Sequence, residues 1–175
     1  MTEKQMAFRK KVCTVGALCC TLFFILFLEL CVGNISRVSG NSMYPTLHDG
    51  DVVIETQLRQ PINGDIVSCA SDINEEDGRI IKRVIAQEGD HLVISNNRVY
   101  VNDVALHEDY LHEPTFDGEV DIVIPKGMCF VMGDNRNHSI DSRDFGFISI
   151  EDITGIVLDV CIRKGDDRYA EDINN

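Results

Sequence analysis

Basic residues are scarce in this sequence. Its 175 residues include 16 lysines and arginines against 29 aspartates and glutamates, a formal net charge of −13. The imbalance is larger after residue 33, where 12 basic and 27 acidic residues give −15, whereas residues 1–12 carry +3. Because proteins bind the phosphate backbone of nucleic acids through lysine and arginine, this negative net charge argues against a nucleic-acid-binding protein.

Cysteine is also scarce where a disulfide framework or a zinc centre would need it. Four of the seven lie in or beside an apolar N-terminal stretch: Cys13, Cys19, Cys20 and Cys31. The other three, Cys69, Cys129 and Cys161, form no CxxC motif and lie in apolar runs, which is typical of buried free cysteine. We therefore predict no metal site and no cofactor. An oxidised pair among the last three stays open.

No charge interrupts the chain from Val12 to Leu28, and the apolar stretch continues past Glu29 to Val32. About 20 residues, at roughly 1.5 Å each, cross a hydrocarbon core of about 30 Å. The pattern predicts one transmembrane anchor over residues 12–32. The competing interpretation is a cleavable signal peptide, but its apolar region usually spans only about 7 to 15 residues.

The charges that flank this stretch predict its orientation. Lysines and arginines accumulate on the cytoplasmic side of membrane helices, so residues 1–11 should be a cytoplasmic basic N-terminus. The remaining chain has room for one extracytoplasmic domain, residues 33–163, followed by an acidic tail, residues 164–175.

Long amphipathic helices are absent after residue 33. Short β-branched runs bounded by turn formers predict an all-β or mainly β domain. Hairpin turns are expected at Asn96–Asn97 and Asn102–Asp103, because Asn and Asp tolerate positive φ, and an exposed loop at 71–77. Candidate strands are Asp51–Glu55, Asp65–Cys69, Arg79–Ala86, His91–Ser95, Arg98–Val101, Val120–Ile124, Cys129–Met132 and Gly155–Arg163.

Ser42 lies in a segment of small residues, VSGNSMYPTL at 38–47. Gly40 lets the backbone approach a neighbour closely, and Pro45 fixes a turn. A serine hydroxyl is a poor nucleophile unless a base lies beside it. Viewed alone, the segment is equally a loop that joins the anchor to the domain.

Two basic residues, Lys82 and Arg83, lie side by side in an otherwise apolar strand. Neighbouring strand residues point to opposite faces, so one of the two should be buried. Burial lowers the pKa of a lysine, and a neutral amine can accept a proton. The alternative is an edge strand whose lysine points to solvent.

A third segment, GDNRNHSIDSRDFG at 133–146, follows an apolar strand. It combines turn formers with two arginines and three aspartates. Charges so placed commonly form ion pairs that hold a loop in shape.

Together the three segments resemble the type I signal peptidases, membrane-anchored serine proteases with a Ser/Lys dyad. The family's Ser-Met-x-Pro-Thr-Leu box matches residues 42–47, its Lys-Arg-Val strand matches 82–84, and its Gly-Asp-Asn box matches 133–146. The resemblance implies a signal-peptidase-like β-rich catalytic domain with one N-terminal transmembrane helix. It also implies that the substrates are signal-peptide-bearing preproteins, cleaved at the lipid bilayer.

The same resemblance assigns roles by position. Ser42 is expected to be the nucleophile, Lys82 the general base, and Ser139 the residue that orients the lysine amine. Two ion pairs are implied, Arg83 with Asp134 and Asp141 with Arg143. The pocket that accepts small substrate side chains is expected to be lined by Val38, Met43, Leu47, Val53, Ile80 and Ile81.

Two positions depart from the family pattern. Gly40 stands where some members carry a hydroxyl that assists the oxyanion hole, which leaves the Ser42 backbone N–H as the expected donor. Residues 86–90 read AQEGD where the family often has Gly-x-Pro-Gly-Asp. Both departures lie outside the dyad.

Two other functions are compatible with parts of the pattern. The Ser/Lys self-cleaving repressors share the dyad, but they need a basic DNA-binding head that this sequence lacks. A catalytically silent, membrane-tethered β-domain that binds exported chains would differ in failing to cleave a preprotein.

Overall fold

The computed structural model describes residues 11–24, 34–70, 78–111, 113–114 and 118–163. The chain divides into two compact units, residues 1–33 and residues 34–175. The predicted acidic tail and the predicted loop at 71–77 lie outside the described residues.

The first unit is helical over residues 11–24, helix α1, with its side chains exposed. Within the described residues, no helix has both the length and the apolar character that a membrane crossing requires. The predicted anchor continues to residue 32, and residues 25–32 lie outside the described residues, as does the basic segment at 1–10.

The regular secondary structure of the second unit consists mainly of strands. The mainly β prediction is confirmed. The strands are β1 Ile35–Arg37, β2 Val52–Thr56, β3 Ile66–Ala70, β4 Arg79–Gln87, β5 His91–Ser95, β6 Arg98–Val101, β7 Val104–Ala105, β8 Val120–Val123, β9 Met128–Met132, β10 Ile148–Ser149 and β11 Ile153–Ile162. A one-turn helix, α2, spans Ser142–Phe145.

The described strands form two antiparallel sheets. The larger has the order β1-β2-β11-β3-β4-β9-β10, and the smaller has the order β7-β6-β5-β8. Strand β11 returns from the end of the domain to pair with both β2 and β3. This return places the long strand β4 near the middle of the larger sheet, paired with β3 and β9.

Predicted and observed strands agree wherever the observed strand has at least four residues. β5 and β6 match residue for residue, and the others shift by one or two positions at an end. The two predicted hairpin turns are confirmed, because Asn96, Asn97, Asn102 and Asp103 all have positive φ. Strands β1, β7 and β10 were not predicted, since two or three residues carry no measurable alternation.

The three described cysteines of the second unit differ in burial. Cys69 and Cys129 are fully buried, as their apolar runs predict, whereas Cys161 is half-buried. All three are free thiols. Burial raises the pKa of the Cys69 thiol to about 12 and that of Cys129 to about 11, so neither is a reactive thiolate near neutral pH.

Three apolar clusters fill the domain, and one of them supports the Ser42 segment. That cluster contains Val38, Met43, Leu47 and Val53, with Ile81 packed against it. It holds the turn at residues 40–47 down on the larger sheet. The turn therefore has a fixed position relative to β4.

Candidate active site

Ser42 and Lys82 meet where the turn after β1 crosses β4. The Lys82 Nζ atom donates to Ser42 Oγ at 2.7 Å. Lys82 is 4 % exposed, and Ser42 is half-buried at the floor of a groove. A contact of this length permits direct proton transfer between the two groups.

Burial lowers the pKa of the Lys82 amine from its ordinary value. The carboxylates of Asp141 and Asp134 act in the opposite direction, because negative charge favours the ammonium form, while Arg143 acts with burial. Desolvation is the larger effect, and the pKa stays below that of a solvated lysine. At a given pH, a larger fraction of the Lys82 amine is therefore neutral than would be the case for a surface lysine.

Asp134 ties the three sequence segments together. Its carboxylate accepts two hydrogen bonds from Arg83 of β4, from Nε at 2.7 Å and from an Nη atom at 2.6 Å. It also accepts a hydrogen bond from the Thr46 hydroxyl at 2.5 Å, in the Ser42 segment. Because Arg83 is engaged on the opposite face of β4, Lys82 is the residue that faces Ser42.

Backbone contacts join the loop after β9 directly to the Ser42 turn. The Asn135 N–H donates to the Ser42 carbonyl at 3.0 Å, and its side-chain amide donates to the Asn41 carbonyl at 3.1 Å. A Cβ at Gly133 would lie 2.5 Å from the Ser42 carbonyl and would overlap the Ser139 side chain. Only glycine allows this close approach.

Asp141 organises the second half of that loop. It accepts from Arg143 Nε at 2.8 Å and from the Gly133 N–H at 2.9 Å, and it caps helix α2 in a reciprocal capping box with Asp144. Burial acts to raise the pKa of Asp141, but the hydrogen bond and charge of Arg143 and the backbone donor outweigh it, so the pKa is lowered. The carboxylate is ionised at neutral pH.

Ser139 lies beside this loop with its Oγ buried. The Ser139 hydroxyl forms no well-aligned hydrogen bond within the described residues. It is nevertheless close enough to Asp141 to help lower the pKa of that carboxylate. The sequence predicted that Ser139 would orient the Lys82 amine. In the structure the Lys82 amine donates a hydrogen bond to Ser42 Oγ.

The groove above the dyad has a volume of about 590 Å³. Of the six residues predicted to line a substrate pocket, Ile80 and Ile81 lie in its wall. The other four belong to the core cluster beneath the turn rather than to the groove lining: Val38, Met43, Leu47 and Val53. Met43 and Leu47 point inward from the turn at 40–47 and pack with Val38 and Val53, whereas the small residues at 39–42 face the groove.

Several residues at the site were missed by sequence reasoning. Arg136 is buried and pairs with Glu108 at 2.5 Å, and the Tyr110 ring lies 4.0 Å from the Arg83 guanidinium. These contacts brace the loop from the segment after β7, and nothing in that segment's sequence indicates them. The burial of Glu55 could be predicted from the sequence, because alternation along the strand places Glu55 on the same face as the buried Val53.

Comparison with known proteins gives a consistent result. Residues 11–161 match the model of the family described as signal peptidase, peptidase S26. The chain is 33 % identical over 149 residues to signal peptidase I U of Bacillus subtilis, covering 77 % of this chain and 78 % of that protein. It is 37 % identical over 131 residues to thylakoidal processing peptidase 1 of Arabidopsis thaliana, covering 67 % of this chain.

The chain spans 38 % of the length of that plant relative. Among solved structures, a signal peptidase I from Enterococcus faecalis superposes with a TM-score of 0.52 at 30 % identity, covering 58 % of this chain and 100 % of the other. The family model covers all three segments that build the dyad and its bracing loop. The chain belongs to the signal peptidase family, peptidase S26.

Proposed function

We propose that this protein is a membrane-anchored serine endopeptidase that removes N-terminal signal peptides from exported preproteins. The observation that carries the proposal is the 2.7 Å contact between Lys82 Nζ and Ser42 Oγ at a buried site. The membership of the signal peptidase family supports the choice of substrate.

In the first step the neutral Lys82 amine accepts the proton of the Ser42 hydroxyl. The Ser42 oxygen then attacks the carbonyl carbon of the scissile peptide bond, and the carbonyl oxygen becomes an oxyanion. The Ser42 backbone N–H is the proposed donor to that oxyanion. Lowering of the Lys82 pKa favours this step, because the amine must be unprotonated when substrate arrives.

The second step releases the two products in turn. The Lys82 ammonium returns its proton to the departing amine, the carbon–nitrogen bond breaks, and the signal peptide stays esterified to Ser42. The same amine then takes a proton from water, whose oxygen attacks the ester carbonyl. Collapse of this intermediate returns the proton to Ser42 Oγ and frees the new carboxylate. The proposed chemistry uses side chains of the chain itself.

Ser139 is proposed to orient Lys82 during this cycle. Its buried hydroxyl lies near Asp141, next to the loop that contacts Ser42. Ile80 and Ile81 are proposed to shape the pocket for small substrate side chains, because their position in the groove wall excludes bulky ones by contact.

The bilayer is the proposed second partner. Residues 12–32 would anchor the chain with its basic N-terminus in the cytoplasm and its β-domain outside. A signal peptide also carries an apolar segment that partitions into lipid. Confining enzyme and substrate to one membrane raises their effective concentration.

Cleavage of a purified preprotein by the full-length chain in detergent micelles tests the chemistry. Ser42→Ala and Lys82→Ala should each lower kcat/KM by roughly 10³-fold or more, since a nucleophile and its base act as a unit. Lys82→Arg should be equally inactive, because guanidinium does not give up its proton near neutral pH.

Ser95→Ala in β5 and Lys126→Ala on the surface are the matched controls, and both should cleave at the wild-type rate. Circular dichroism and thermal melts would establish that the dyad variants remain folded. Cleavage by folded Ser42→Ala within tenfold of wild type would contradict the proposed mechanism.

A further inference from the structure

The segment that follows β7, residues 106–111, contacts the loop after β9 through Glu108. The Glu108 carboxylate accepts two hydrogen bonds from Arg136, one from each terminal nitrogen of the guanidinium, at 2.5 and 3.3 Å. The Tyr110 hydroxyl donates to the same carboxylate at 2.9 Å. None of these three residues is in the lining of the groove above the dyad. The contact therefore reaches the site from behind rather than from the substrate side.

The ion pair between Glu108 and Arg136 is largely removed from water. The Arg136 side chain is 0 % exposed and the Glu108 side chain is 10 % exposed. Buried charges are costly unless they are paired with good geometry, and a guanidinium that meets a carboxylate through two parallel hydrogen bonds has that geometry. Glu108 thus holds the outer end of the Arg136 side chain in one position.

The inner part of Arg136 is fixed to the backbone of the loop after β9. Its Nε atom donates to the Gly133 carbonyl at 3.1 Å. Its own carbonyl accepts from an Nη atom of Arg143 at 2.6 Å. Because a single planar group contacts both Glu108 and Gly133, a shift of the carboxylate would be transmitted to the Gly133 peptide.

Gly133 is the point where this loop approaches the dyad. A Cβ at this position would lie 2.5 Å from the Ser42 carbonyl and would overlap the Ser139 side chain. The N–H of Gly133 donates to Asp141 at 2.9 Å. Direct contacts therefore run from Glu108 to the backbone of the nucleophile, and closely packed groups of this kind transmit small displacements.

Tyr110 connects the same segment to β4. Its half-buried ring lies 4.0 Å from the Arg83 guanidinium and 6.0 Å from that of Arg136. An arginine over an aromatic face is attracted by the ring, more strongly where water is excluded. Arg83 is the neighbour of Lys82 in β4. The segment at 106–111 consequently supports both parts of the site, the strand of the base and the loop beside it.

The loop after β9 contributes most of the charge around the Lys82 amine. The groups that act on its pKa are Asp134, Asp141 and Arg143 of this loop and Cys69 of β3, while burial is the largest cause and lowers the pKa. A loop that moved away from β4 would admit water to the amine. Hydration favours the ammonium form, so the pKa of Lys82 would rise.

We propose that Glu108 is a positioning residue for the cleavage reaction and acts through Arg136 on the loop after β9. The pair holds Gly133 against the Ser42 turn and keeps water from the Lys82 amine. The inference rests on the proposed function, because it supposes that Ser42 and Lys82 cleave a peptide bond. Glu108 lies outside the three sequence segments that resemble the signal peptidases, and no role was expected for it.

The experiment measures kcat and KM of the full-length chain in detergent micelles with one purified preprotein, between pH 5 and pH 10. On the acid side of the midpoint, Glu108→Ala should lower kcat about tenfold or more, because small misplacements of reacting groups are costly. Its midpoint should move to higher pH, so the difference from wild type should narrow as pH rises. KM should stay within about twofold, because Glu108 does not line the groove.

Two further variants separate positioning from a general loss of stability. Glu108→Gln keeps an oxygen that accepts from Arg136, so its kcat and midpoint should lie between those of Glu108→Ala and wild type. Asp109→Ala changes the adjacent residue, whose side chain is 81 % exposed, and should keep the wild-type values. A role confined to stability would lower the melting temperature of Glu108→Ala and leave the midpoint of the folded enzyme where it is.

A double-mutant cycle tests whether Glu108 acts through Arg136. Arg136→Met replaces the guanidinium by an uncharged chain, and the double variant Glu108→Ala/Arg136→Met leaves neither charge buried alone, which keeps the test valid if a single variant does not fold. Its kcat and midpoint should match those of Arg136→Met, because the second change removes nothing further. Independent residues would instead give effects that multiply.

A folded Glu108→Ala with the kcat and the midpoint of wild type would overturn the inference, as would effects that multiply in the double variant. Cleavage of the preprotein by wild type shows that the proposed function stands independently of either result. No cleavage by wild type would remove the proposed function itself, and the inference with it.

Discussion

Lys82 is the proposed general base, and the fold removes it from water. It is 4 % exposed in the middle of a central strand, and burial lowers its pKa against the opposing charges of Asp141 and Asp134. Strand alternation predicted only that Lys82 and Arg83 lie on opposite faces, and the resemblance to the type I signal peptidases implied that Lys82 is the one at the site. The resemblance also implied the ion pair of Arg83 with Asp134, and the structure contains this pair.

A pH profile of cleavage follows from the lowered pKa. The proposed active form is the neutral amine, so kcat/KM should be low where Lys82 is protonated and should rise with pH through its pKa, below the ordinary 10.5. Steady-state rates between pH 5 and pH 10 measure this. His138 also lies in the groove, and His138→Gln should leave the midpoint unchanged. A flat profile would contradict a lysine base.

The same shift has a consequence for stability that does not depend on activity. Between the lowered pKa and about 10.4 the unfolded chain binds more protons at this residue than the folded one, so this residue's contribution to stability rises with pH there. Below the lowered pKa the full cost of burying the ammonium is present. Lys82→Met should therefore be more stable than wild type at low pH, and the difference should narrow as pH approaches 10.4.

At the scale of elements, alternation and turn chemistry predicted the long strands, and tertiary contacts decided the rest. β5 and β6 were predicted to the residue because Asn96–Asn97 and Asn102–Asp103 mark both ends of β6. β1 was missed because a three-residue strand exists only through its pairing with β2. Met43 and Leu47 were expected in the substrate pocket but pack into the core, because the conformation of the turn points their side chains inward.

The bracing of β4 against the loop after β9 gives a prediction about stability. Asp134 is fully buried and accepts from both Arg83 and Thr46. Asp134→Asn leaves the Arg83 guanidinium, whose side chain is only 12 % exposed, without its charge partner, which should cost about 3 kcal/mol in the free energy of unfolding. Urea denaturation measures this change.

The matched control for Asp134→Asn is Asp109→Asn. It breaks the ion pair between His107 and Asp109, whose side chains are 88 % and 81 % exposed. Exposed pairs of this kind contribute little to stability, so the urea midpoint should not move detectably. Equal midpoints for the two variants would show that the Asp134 contacts do not stabilise the domain.

At the scale of the whole molecule, charge is distributed unevenly along the chain. Residues 1–12 carry +3, residues 13–28 carry no charge, and residues 34–175 carry −15. Two arginines in the groove lining, Arg37 and Arg79, interrupt this acidity where the proposed substrate would lie. The apolar composition of residues 12–32 was enough to predict the anchor. That the two arginines lie together in the groove lining could be seen only from the folded structure.

The proposed anchor predicts a strong dependence on where a charge is inserted. Leu22 lies at the centre of residues 12–32, and Leu22→Arg should oppose insertion by about 3 kcal/mol, because the guanidinium would be placed near the bilayer midplane. Val12→Arg adds the same charge at the end of the segment, where a long side chain reaches the interface at little cost. After sodium carbonate extraction, the Val12→Arg chain should remain in the membrane pellet and the Leu22→Arg chain should move to the supernatant. Equal retention of the two chains would contradict an anchor centred on this segment.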